Sequence, residues 1–506
     1  MRPPGNNTES PRVQSCSSLR ALCARAGALL PLLWLCAAAS GSPAAPATTP
    51  ENVAAQLRDA ALAGHDVAWS WVSELTTRFG PRPAGSNNEQ QAAEWAAARL
   101  KALGFENAHL ESFPLTAWVR GSESAQLIAP GTQPLAIAAL GESPPTPAAG
   151  LEGDVVIFPT LADLKAAPSG SLSGKIAMVS QRMVRTQDGS GYGAAVPGRT
   201  DGPKEAAQRG AIAFLLRSVG TDSHRLAHTG TVRYTDGRVA VPAFALSAPD
   251  ADQIERIAAL DQTVRVRLFS AASYVPTAHS QNVIAEIRGR ERPQEIVLLG
   301  AHLDSWDQGT GAIDDAAGTA IITAAAKLIR DLPHRPRRTV RVVLFGSEEV
   351  AQPTAPGGTF GGHSYATNHR AELANHVLAG ESDLGSDRIY SFALPPAAAQ
   401  TDFAKALLRI LTPIGVLASD RAPEDVGADV GPVVEAGVPA FQLSQDAMRY
   451  FDIHHTADDT LDKIDRMQLD QNVAAWAALI WLAADSDVDF RSAKQSTAGA
   501  TPPPGS

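Results

Sequence analysis

One short segment of the chain combines an imidazole with several carboxylates. It holds His302, Asp304, Asp314 and Asp315, and it directly follows the apolar run 296–299. An apolar run of that length, bounded by glycine, predicts a buried parallel strand. Ligands of open α/β sheets bind beyond the carboxyl ends of such strands, and imidazole together with carboxylate suits Zn²⁺. The segment therefore predicts a metal site at a strand end.

The residues of this segment suggest different roles. A metal-bound histidine usually donates its second ring N–H to a carboxylate, and Asp304, two residues beyond His302, suits that role. Asp315 suits the cap of the helix that follows, whereas Asp314 has no such structural role. On its own, the pair of His302 and Asp304 also fits an ordinary structural histidine. The other metal donors of the chain are needed to distinguish a metal ligand from a structural residue.

Two adjacent glutamates follow another apolar run. Glu348 and Glu349 come after run 342–345, a predicted central strand that ends at the same sheet edge as His302. Adjacent carboxylates diverge in direction, so one can bind a metal while its neighbour faces a water whose pKa the metal lowers to about 7. Such a neighbour can act as a general base, an effect of about 10²–10⁴-fold. A solvated charge pair is the alternative.

Further donors lie toward the C-terminus. Asp383 follows the apolar run 377–379, and the segment 450–460 supplies His454, His455 and Asp459. Each of these residues alone fits a turn or a structural role. Together with the earlier donors they place histidines and carboxylates at successive strand ends, an inventory that supports two metals bridged by one carboxylate, about 3.5–4 Å apart.

Alternating strands and helices must position these donors. From residue 282 onward this alternation predicts an α/β fold with a mainly parallel central sheet and helices on both faces. Residues 121–275 instead show short strand-like segments between Gly/Pro loops, which predicts an inserted β-rich domain. Strands are predicted near 105–113, 283–287, 296–299 and 339–345, and helices near 315–332, 403–411 and 467–484. The predicted division is a signal peptide (1–40), a linker (41–50), an α/β domain in two parts (51–120 and 276–490) that carries the candidate site, the insert (121–275) and a disordered tail (491–506).

The N-terminal stretch is typical of a secretory signal peptide. Basic residues precede the apolar run 26–39, small residues follow it, and all three cysteines, Cys16, Cys23 and Cys36, lie within this stretch. The run is short for a membrane span, although an N-terminal anchor is the alternative. Cleavage would leave no cysteine, so the metal ligands must be His, Asp and Glu. We expect a secreted or periplasmic protein with no stable membrane span after cleavage.

Bulk composition fits an ordinary globular protein. The chain has 506 residues, of which 44% are hydrophobic and 19% charged, with a net charge of −10. These values allow a sizeable core. No block of Lys and Arg stands out in the body of the chain, which argues against nucleic acid as a partner.

Five motifs in order carry a family resemblance. They are His302-x-Asp304, Asp314-Asp-Ala-Ala-Gly318, Glu348-Glu349, Glu381-Ser-Asp383 and His455-x-x-x-Asp459-Thr460. With them the chain resembles the M28 family of di-zinc exopeptidases, and within it the carboxypeptidase Q subgroup, over about residues 50–490. The resemblance includes an inserted protease-associated-type (PA-like) domain, similar to the segment from Leu151 to Asp252.

The resemblance implies two Zn²⁺ ions and a role for each site residue. The implied ligands are His302 and Asp383 for one zinc, Glu349 and His455 for the other, and Asp314 as the bridge. Glu348 is implied as the general base that activates a water between the metals, and Asp304 as the partner of His302. The peptide between Asp314 and Asp315 is implied to be cis.

Two departures from the family pattern concern the rim of the site. Some relatives carry tyrosine just before the last histidine as an oxyanion donor, whereas this chain has His454 there, so His454 and the nearby Tyr450 both stay candidates for an oxyanion or substrate contact. The segment between Glu349 and Asp383 is longer than in the subgroup, which predicts an extra loop at the site.

The resemblance implies hydrolysis of peptides or dipeptides. Aminopeptidase or dipeptidase activity is favoured, with a carboxypeptidase of the carboxypeptidase Q type as the alternative. A receptor-like homologue without catalysis, or a glutaminyl-cyclase-like acyltransferase with one metal, fits less well because every ligand is retained. The choice between a monomer and a homodimer is left open.

Overall fold

The structure is a computed structural model that describes residues 49–64, 66–233, 241–424 and 426–491. The predicted signal peptide, most of the predicted linker and nearly all of the predicted tail lie outside these residues. The described α-helices are α1 (Pro50–Leu62), α2 (Asp66–Phe79), α3 (Asn87–Ala102), α4 (Leu161–Ala166), α5 (Ser190–Ala195), α6 (Pro197–Thr200), α7 (Gly202–Gln208), α8 (Ala248–Ala258), α9 (Ala317–Arg330), α10 (Phe360–Asn368), α11 (Pro396–Ala399), α12 (Asp402–Leu411), α13 (Gly431–Glu435), α14 (Tyr450–Ile453) and α15 (Arg466–Ala484).

The strands form three sheets. The described strands are β1 (Glu106–Val119), β2 (Glu123–Ala129), β3 (Gln133–Leu135), β4 (Ile137–Ala139), β5 (Leu151–Phe158), β6 (Ile176–Val179), β7 (Ala213–Arg217), β8 (Ala243–Leu246), β9 (Arg265–Ser270), β10 (Ser273–Ile287), β11 (Arg292–His302), β12 (Arg338–Phe345), β13 (His376–Glu381), β14 (Ile389–Ala393), β15 (Leu417–Ala418) and β16 (Gln442–Gln445). The first sheet has the order β1-β10-β12-β11-β13, the second β3-β2-β9-β5-β6-β7-β8-β4, and the third β15-β14-β16.

The first sheet is mixed, so the prediction of a mainly parallel central sheet was wrong. β11 runs parallel to both β12 and β13, but β10 pairs antiparallel with β12 and with β1. The chain leaves this sheet at the end of β1 and returns at the start of β10. Antiparallel pairing brings those two points together, which lets β2 to β9 be accommodated between them as a second sheet.

Both faces of the first sheet are buried, which explains the apolar runs of its central strands. Val297 and Leu299 of β11 share a core with α9 and α15, while Leu298 of the same strand shares another with Tyr365 and Val430. Strands covered on both faces are expected to be nearly continuously apolar. Within the described residues, none of the helices is long and apolar enough to cross a membrane.

The face of the first sheet that packs against Tyr365 also carries a network of charged residues. Burial lowers the pKa of His369, but the carboxylates of Glu111 and Glu372 on either side of the ring outweigh burial and the net shift is upward. His369 Nε2 lies 2.9 Å from Glu111 Oε1, and the ring stacks on Tyr365 at 4.2 Å. Arg341, also beside the ring, has Glu286, Glu372 and Tyr365 as partners. His369 thus links the edge strand β1 to the segment after α10.

We expect His369→Gln to remove a pH-dependent part of the stability. The pKa of His369 is higher in the folded than in the unfolded chain, so its ion pairs stabilise fully below the unfolded pKa of about 6.5 and are lost as pH rises through the folded pKa. The free energy of unfolding should fall by about 1 kcal/mol at pH 6 and by less at pH 9. Urea unfolding at both pH values measures it. The exposed His334, changed to Gln, serves as the control, and an equal loss at both pH values would contradict the assignment.

Candidate metal centre

The site lies where three neighbouring parallel strands end. His302 is the last residue of β11 and pairs in register with Phe345, the last residue of β12. Gly300 pairs with Glu381, the last residue of β13. Since these strands end at one edge, the residues that follow β12 and β13 reach the same place as His302.

The five predicted ligands lie together. His302 Nε2 is 3.1 Å from Asp314 Oδ1 and 3.2 Å from Asp383 Oδ1. His455 Nε2 is 3.2 Å from Asp314 Oδ2 and 3.0 Å from Glu349 Oε2. Asp314 therefore presents one oxygen to each of two histidines, and each histidine has one further carboxylate of its own. Candidate metal ligands therefore lie on both sides of Asp314.

The chemistry of these donors fits metal ions. His302, Asp314 and His455 are all buried, and Oε1 of Glu349 is buried with no hydrogen bond from any described residue. Burial, followed by the charge of Asp314, raises the pKa of Glu349 well above its usual range. Buried carboxylates this close together need a positive counter-charge, and His with Asp and Glu is a donor set that zinc accepts.

Asp304 supports the site differently from the sequence prediction. His302 Nδ1 donates to the backbone carbonyl of Asp304 at 3.0 Å, whereas the carboxylate Oδ1 is 3.7 Å away. The carboxylate instead accepts the backbone N–H groups of Glu348 at 3.0 Å and Glu349 at 3.3 Å. Asp304 thus orients His302 through its main chain and holds the two glutamates through its side chain.

Asp315 and Asp459 fix the turn that carries Asp314. The Asp314–Asp315 peptide is cis, as the resemblance implies. Asp315 accepts the backbone N–H of Gly318 at 2.9 Å and that of His302 at 3.1 Å, so it ties the start of α9 to the end of β11. Asp459 Oδ1 accepts the N–H groups of residues 312 and 313 at 2.8 and 2.7 Å. Burial, then Asp314, raises the pKa of Asp459 to about 7.

Arg82 holds the loop between His302 and Asp314, and sequence reasoning missed it. Its side chain is fully buried. Nε donates to the carbonyl of Leu303 at 2.7 Å, Nη1 to Thr310 at 2.7 Å, and Nη2 to Gly311 at 3.0 Å. The flanking prolines mark a turn in the sequence, but nothing there indicates that the arginine between them would pair with carbonyls more than two hundred residues away.

A cavity of about 660 Å³ opens onto the ligands. Glu348 lines it, and so do Tyr450 and His454. The ring of His454 stacks on that of His455 at 3.5 Å, its Nε2 is 3.6 Å from Asp314 Oδ2, and the Tyr450 ring is 5.1 Å away. Both candidates for an oxyanion or substrate contact therefore lie at the site, and His454 is the nearer of the two to a ligand.

The loop between β7 and β8 of the second sheet also contributes to the site. The carbonyl of Thr229 is 3.3 Å from Nδ1 of His455, and the Thr229 N–H donates to the His455 carbonyl at 3.0 Å. Thr231 accepts the N–H of Ala351 at 3.1 Å. A ring nitrogen bound this way leaves Nε2 for a metal. Backbone contacts of this kind carry no signal in the sequence, so they could not have been predicted.

Comparisons with known proteins agree with this geometry. A family model described as Peptidase family M28 matches residues 282–480. Bovine carboxypeptidase Q is 36% identical over 417 residues, which cover 81% of this chain and 84% of the bovine protein. The crystal structure of a peptidase M28 precursor from Shewanella amazonensis is 44% identical with a TM-score of 0.84, covering 88% of this chain and 98% of that one. BSAP, a zinc aminopeptidase from Bacillus subtilis, shares the fold at 19% identity, with a TM-score of 0.59 over 84% of this chain and 97% of that one.

These matches identify the protein as a metallo-exopeptidase, and the histidine–carboxylate cluster at its strand ends fits that class. The similarity to carboxypeptidase Q extends over most of both chains. The chain belongs to peptidase family M28.

Proposed function

We propose that this protein is a two-zinc exopeptidase that acts as an aminopeptidase or dipeptidase. The observation that carries the proposal is the position of Asp314, which offers one carboxylate oxygen to His302 and the other to His455. The proposed ligands are His302 and Asp383 for one zinc and Glu349 and His455 for the other. A carboxypeptidase of the carboxypeptidase Q type is the second candidate, favoured by the 36% identity to that protein.

In this proposal Glu348 is the general base. Its side chain lines the cavity beside the ligands, and its backbone is fixed by Asp304. Zinc would polarise the scissile carbonyl and lower the pKa of the attacking water to about 7. Glu348 takes the proton of that water and returns it to the leaving amine, while His454 or Tyr450 donates to the oxygen on which negative charge develops.

We further propose that the second sheet is the PA-like insert and that the protein is secreted or periplasmic. The first proposal is supported by the topology, since β2 to β9 lie between two paired strands of the first sheet. The second is supported by the signal-like composition of the N-terminal stretch.

The proposed function is tested by metal content and by blocked peptides. Purified protein should hold about two zinc ions per chain, lose activity with a chelator and regain it on zinc addition. An aminopeptidase or dipeptidase should cleave peptides that begin with Ala or Leu. It should leave the N-acetylated forms of these peptides intact, because acetylation removes the positive charge of the N-terminal amine. Cleavage of the N-acetylated forms at an undiminished rate would favour the carboxypeptidase. Full activity without bound metal would refute the proposal.

A further inference from the structure

The loop between β12 and α10 folds back onto the residues that directly follow β12. It spans residues 350–359 and includes two prolines and two glycines. At its end, the backbone N–H of Thr359 donates to the carbonyl of Glu348 at 2.7 Å, and the N–H of Phe360 donates to the carbonyl of Ser347 at 2.8 Å. The 350–359 loop thus returns to the point where it began and closes beside Glu348.

The main chain of Glu348 is therefore held from two sides. Its N–H donates to Asp304 Oδ1 at 3.0 Å, and its carbonyl accepts the N–H of Thr359. The loop can come this close because residue 358 is glycine. Its φ is +103°, a conformation that favours glycine, and a Cβ on Gly358 would overlap the carbonyl oxygen of Glu348. The next glycine toward the N-terminus, Gly357, lines the cavity together with Glu348.

The side chain of Gln352 fixes the 350–359 loop to β1, the edge strand of the first sheet. This side chain is buried. Nε2 donates to the carbonyl of Thr116 at 3.0 Å, and Oε1 accepts the N–H of Thr116 at 3.1 Å. The register between β1 and β10 shifts at this point, between Leu115 and Ala117. The amide thus pairs with both main-chain groups of Thr116, as a residue of a neighbouring strand would.

Hydrogen bonds within the loop connect Gln352 to Glu348. The main chains of Gln352 and Ala355 exchange two hydrogen bonds, at 2.9 and 3.0 Å, and the N–H of Gly358 donates to the carbonyl of Ala355 at 3.1 Å. The following residue is Thr359, which binds the carbonyl of Glu348. A shift of Gln352 away from β1 would therefore be transmitted through the loop to the main chain of Glu348.

We propose that Gln352 is a positioning residue for Glu348: it ties the 350–359 loop to β1 and thereby keeps Glu348 in place. The inference rests on the proposed function, in which Glu348 takes the proton of the attacking water. A general base must lie within hydrogen-bond reach of that proton, and a misplacement of about 1 Å can cost about 10²-fold in rate. The proposed ligand Glu349 has its own contact, from its N–H to Asp304 Oδ2 at 3.3 Å, so the effect should fall on the base.

The test replaces Gln352 by Met, which has a similar length but cannot pair with Thr116. In the zinc-loaded full chain, kcat for alanyl-leucine should fall by about 10–100-fold while KM changes by less than about twofold, and zinc content should not change. Gln471→Met is the matched control. Gln471 is also buried, and its amide pairs in the same way with the carbonyl and N–H of Ile389 in the third sheet, at 2.8 and 2.9 Å. This variant should lose stability but keep the wild-type kcat.

Two further measurements separate positioning from a general loss of stability. In Glu348→Gln the base is already absent, so adding Gln352→Met should lower kcat by no more than about twofold further, whereas a purely structural role would multiply the two losses. Amide hydrogen exchange is measured with and without zinc. Exchange at Thr359 should be faster in Gln352→Met than in the wild type, because the loop opens locally, and it should be unchanged in Gln471→Met.

The outcomes also separate this inference from the proposed function. Wild-type kcat in Gln352→Met, or multiplied losses in the double variant, would overturn the role of Gln352 while exopeptidase function stands. If the zinc-loaded wild-type protein hydrolyses no peptide, the proposed function fails, and exchange at Thr359 then shows only whether Gln352 holds the loop. Should Gln352→Met not fold, Gln352→Glu takes its place at pH 7.5. It keeps the oxygen that accepts the Thr116 N–H but loses the donor, so it should lower kcat in the same pattern, and a wild-type kcat would refute the assignment.

Discussion

Replacing Glu348 by Gln is expected to lower kcat by about 10²–10⁴-fold while KM and zinc content change little. The amide keeps the shape of the side chain but cannot take a proton from water. In the proposal Glu348 is the base and not a ligand, and Asp304 holds its backbone rather than its carboxylate, so the substitution should leave the proposed ligands in place. Steady-state kinetics on alanyl-leucine, with zinc measured by atomic absorption, gives the result.

Glu424→Gln is the control for this experiment. Glu424 also lines the cavity, but it is 69% exposed and pairs with Arg421, so its loss should change kcat by less than about threefold. Wild-type turnover in Glu348→Gln would refute its role as the base. A loss of zinc together with activity would instead show that Glu348 is a ligand.

Replacing Arg82 by Met is expected to destabilise the protein by about 3–5 kcal/mol, the cost of breaking a buried charged network. Burial lowers the pKa of Arg82 to about 10, with partial compensation by Asp459 and Asp304, so the guanidinium remains charged at neutral pH. Without it, the carbonyls of Leu303, Thr310 and Gly311 lose their donor. The loop between two ligands should then loosen, and zinc affinity should fall with stability.

Arg78→Met provides the comparison. Arg78 is also near the end of α2 but is 54% exposed and pairs with Glu74 four residues earlier, so its loss should cost no more than about 0.5 kcal/mol. Urea unfolding and zinc titration are measured for both variants. Equal effects of the two substitutions would contradict the role given to Arg82.

Much of the site could be predicted because it depends on local order. A buried run followed by His302, another by Glu348 and Glu349, and a third by Asp383 place donors at the ends of adjacent parallel strands, and the register of β11 with β12 and β13 brings them together. These donors needed no knowledge of distant contacts. The apolar runs themselves reflect a sheet that is covered on both faces.

The parts that could not be predicted depend on which distant segments meet. The first sheet is mixed because β10 pairs antiparallel with both β1 and β12, and the periodicity of a strand does not indicate which strand it pairs with. The side chain of Arg82 binds main-chain carbonyls, and Thr229 contacts His455 through its own main chain. The residue type at neither position indicates a contribution to the site. The sequence predicts that the carboxylate of Asp304 pairs with His302. It binds the backbone of Glu348 and Glu349 instead, because the N–H of Glu348 after β12 lies closer to this carboxylate than the His302 ring does.

The contact between Thr229 and His455 joins the candidate metal centre to the segment between β1 and β10. The ring of His455 contacts a carbonyl that belongs to the segment between β1 and β10, while its carboxylate neighbours Asp314 and Glu349 belong to the chain after β10. A zinc position built from these groups exists only once both segments have folded and docked. Under the proposed function, we expect zinc affinity to depend on the docking of this segment as well as on the sheet that bears most of the proposed ligands.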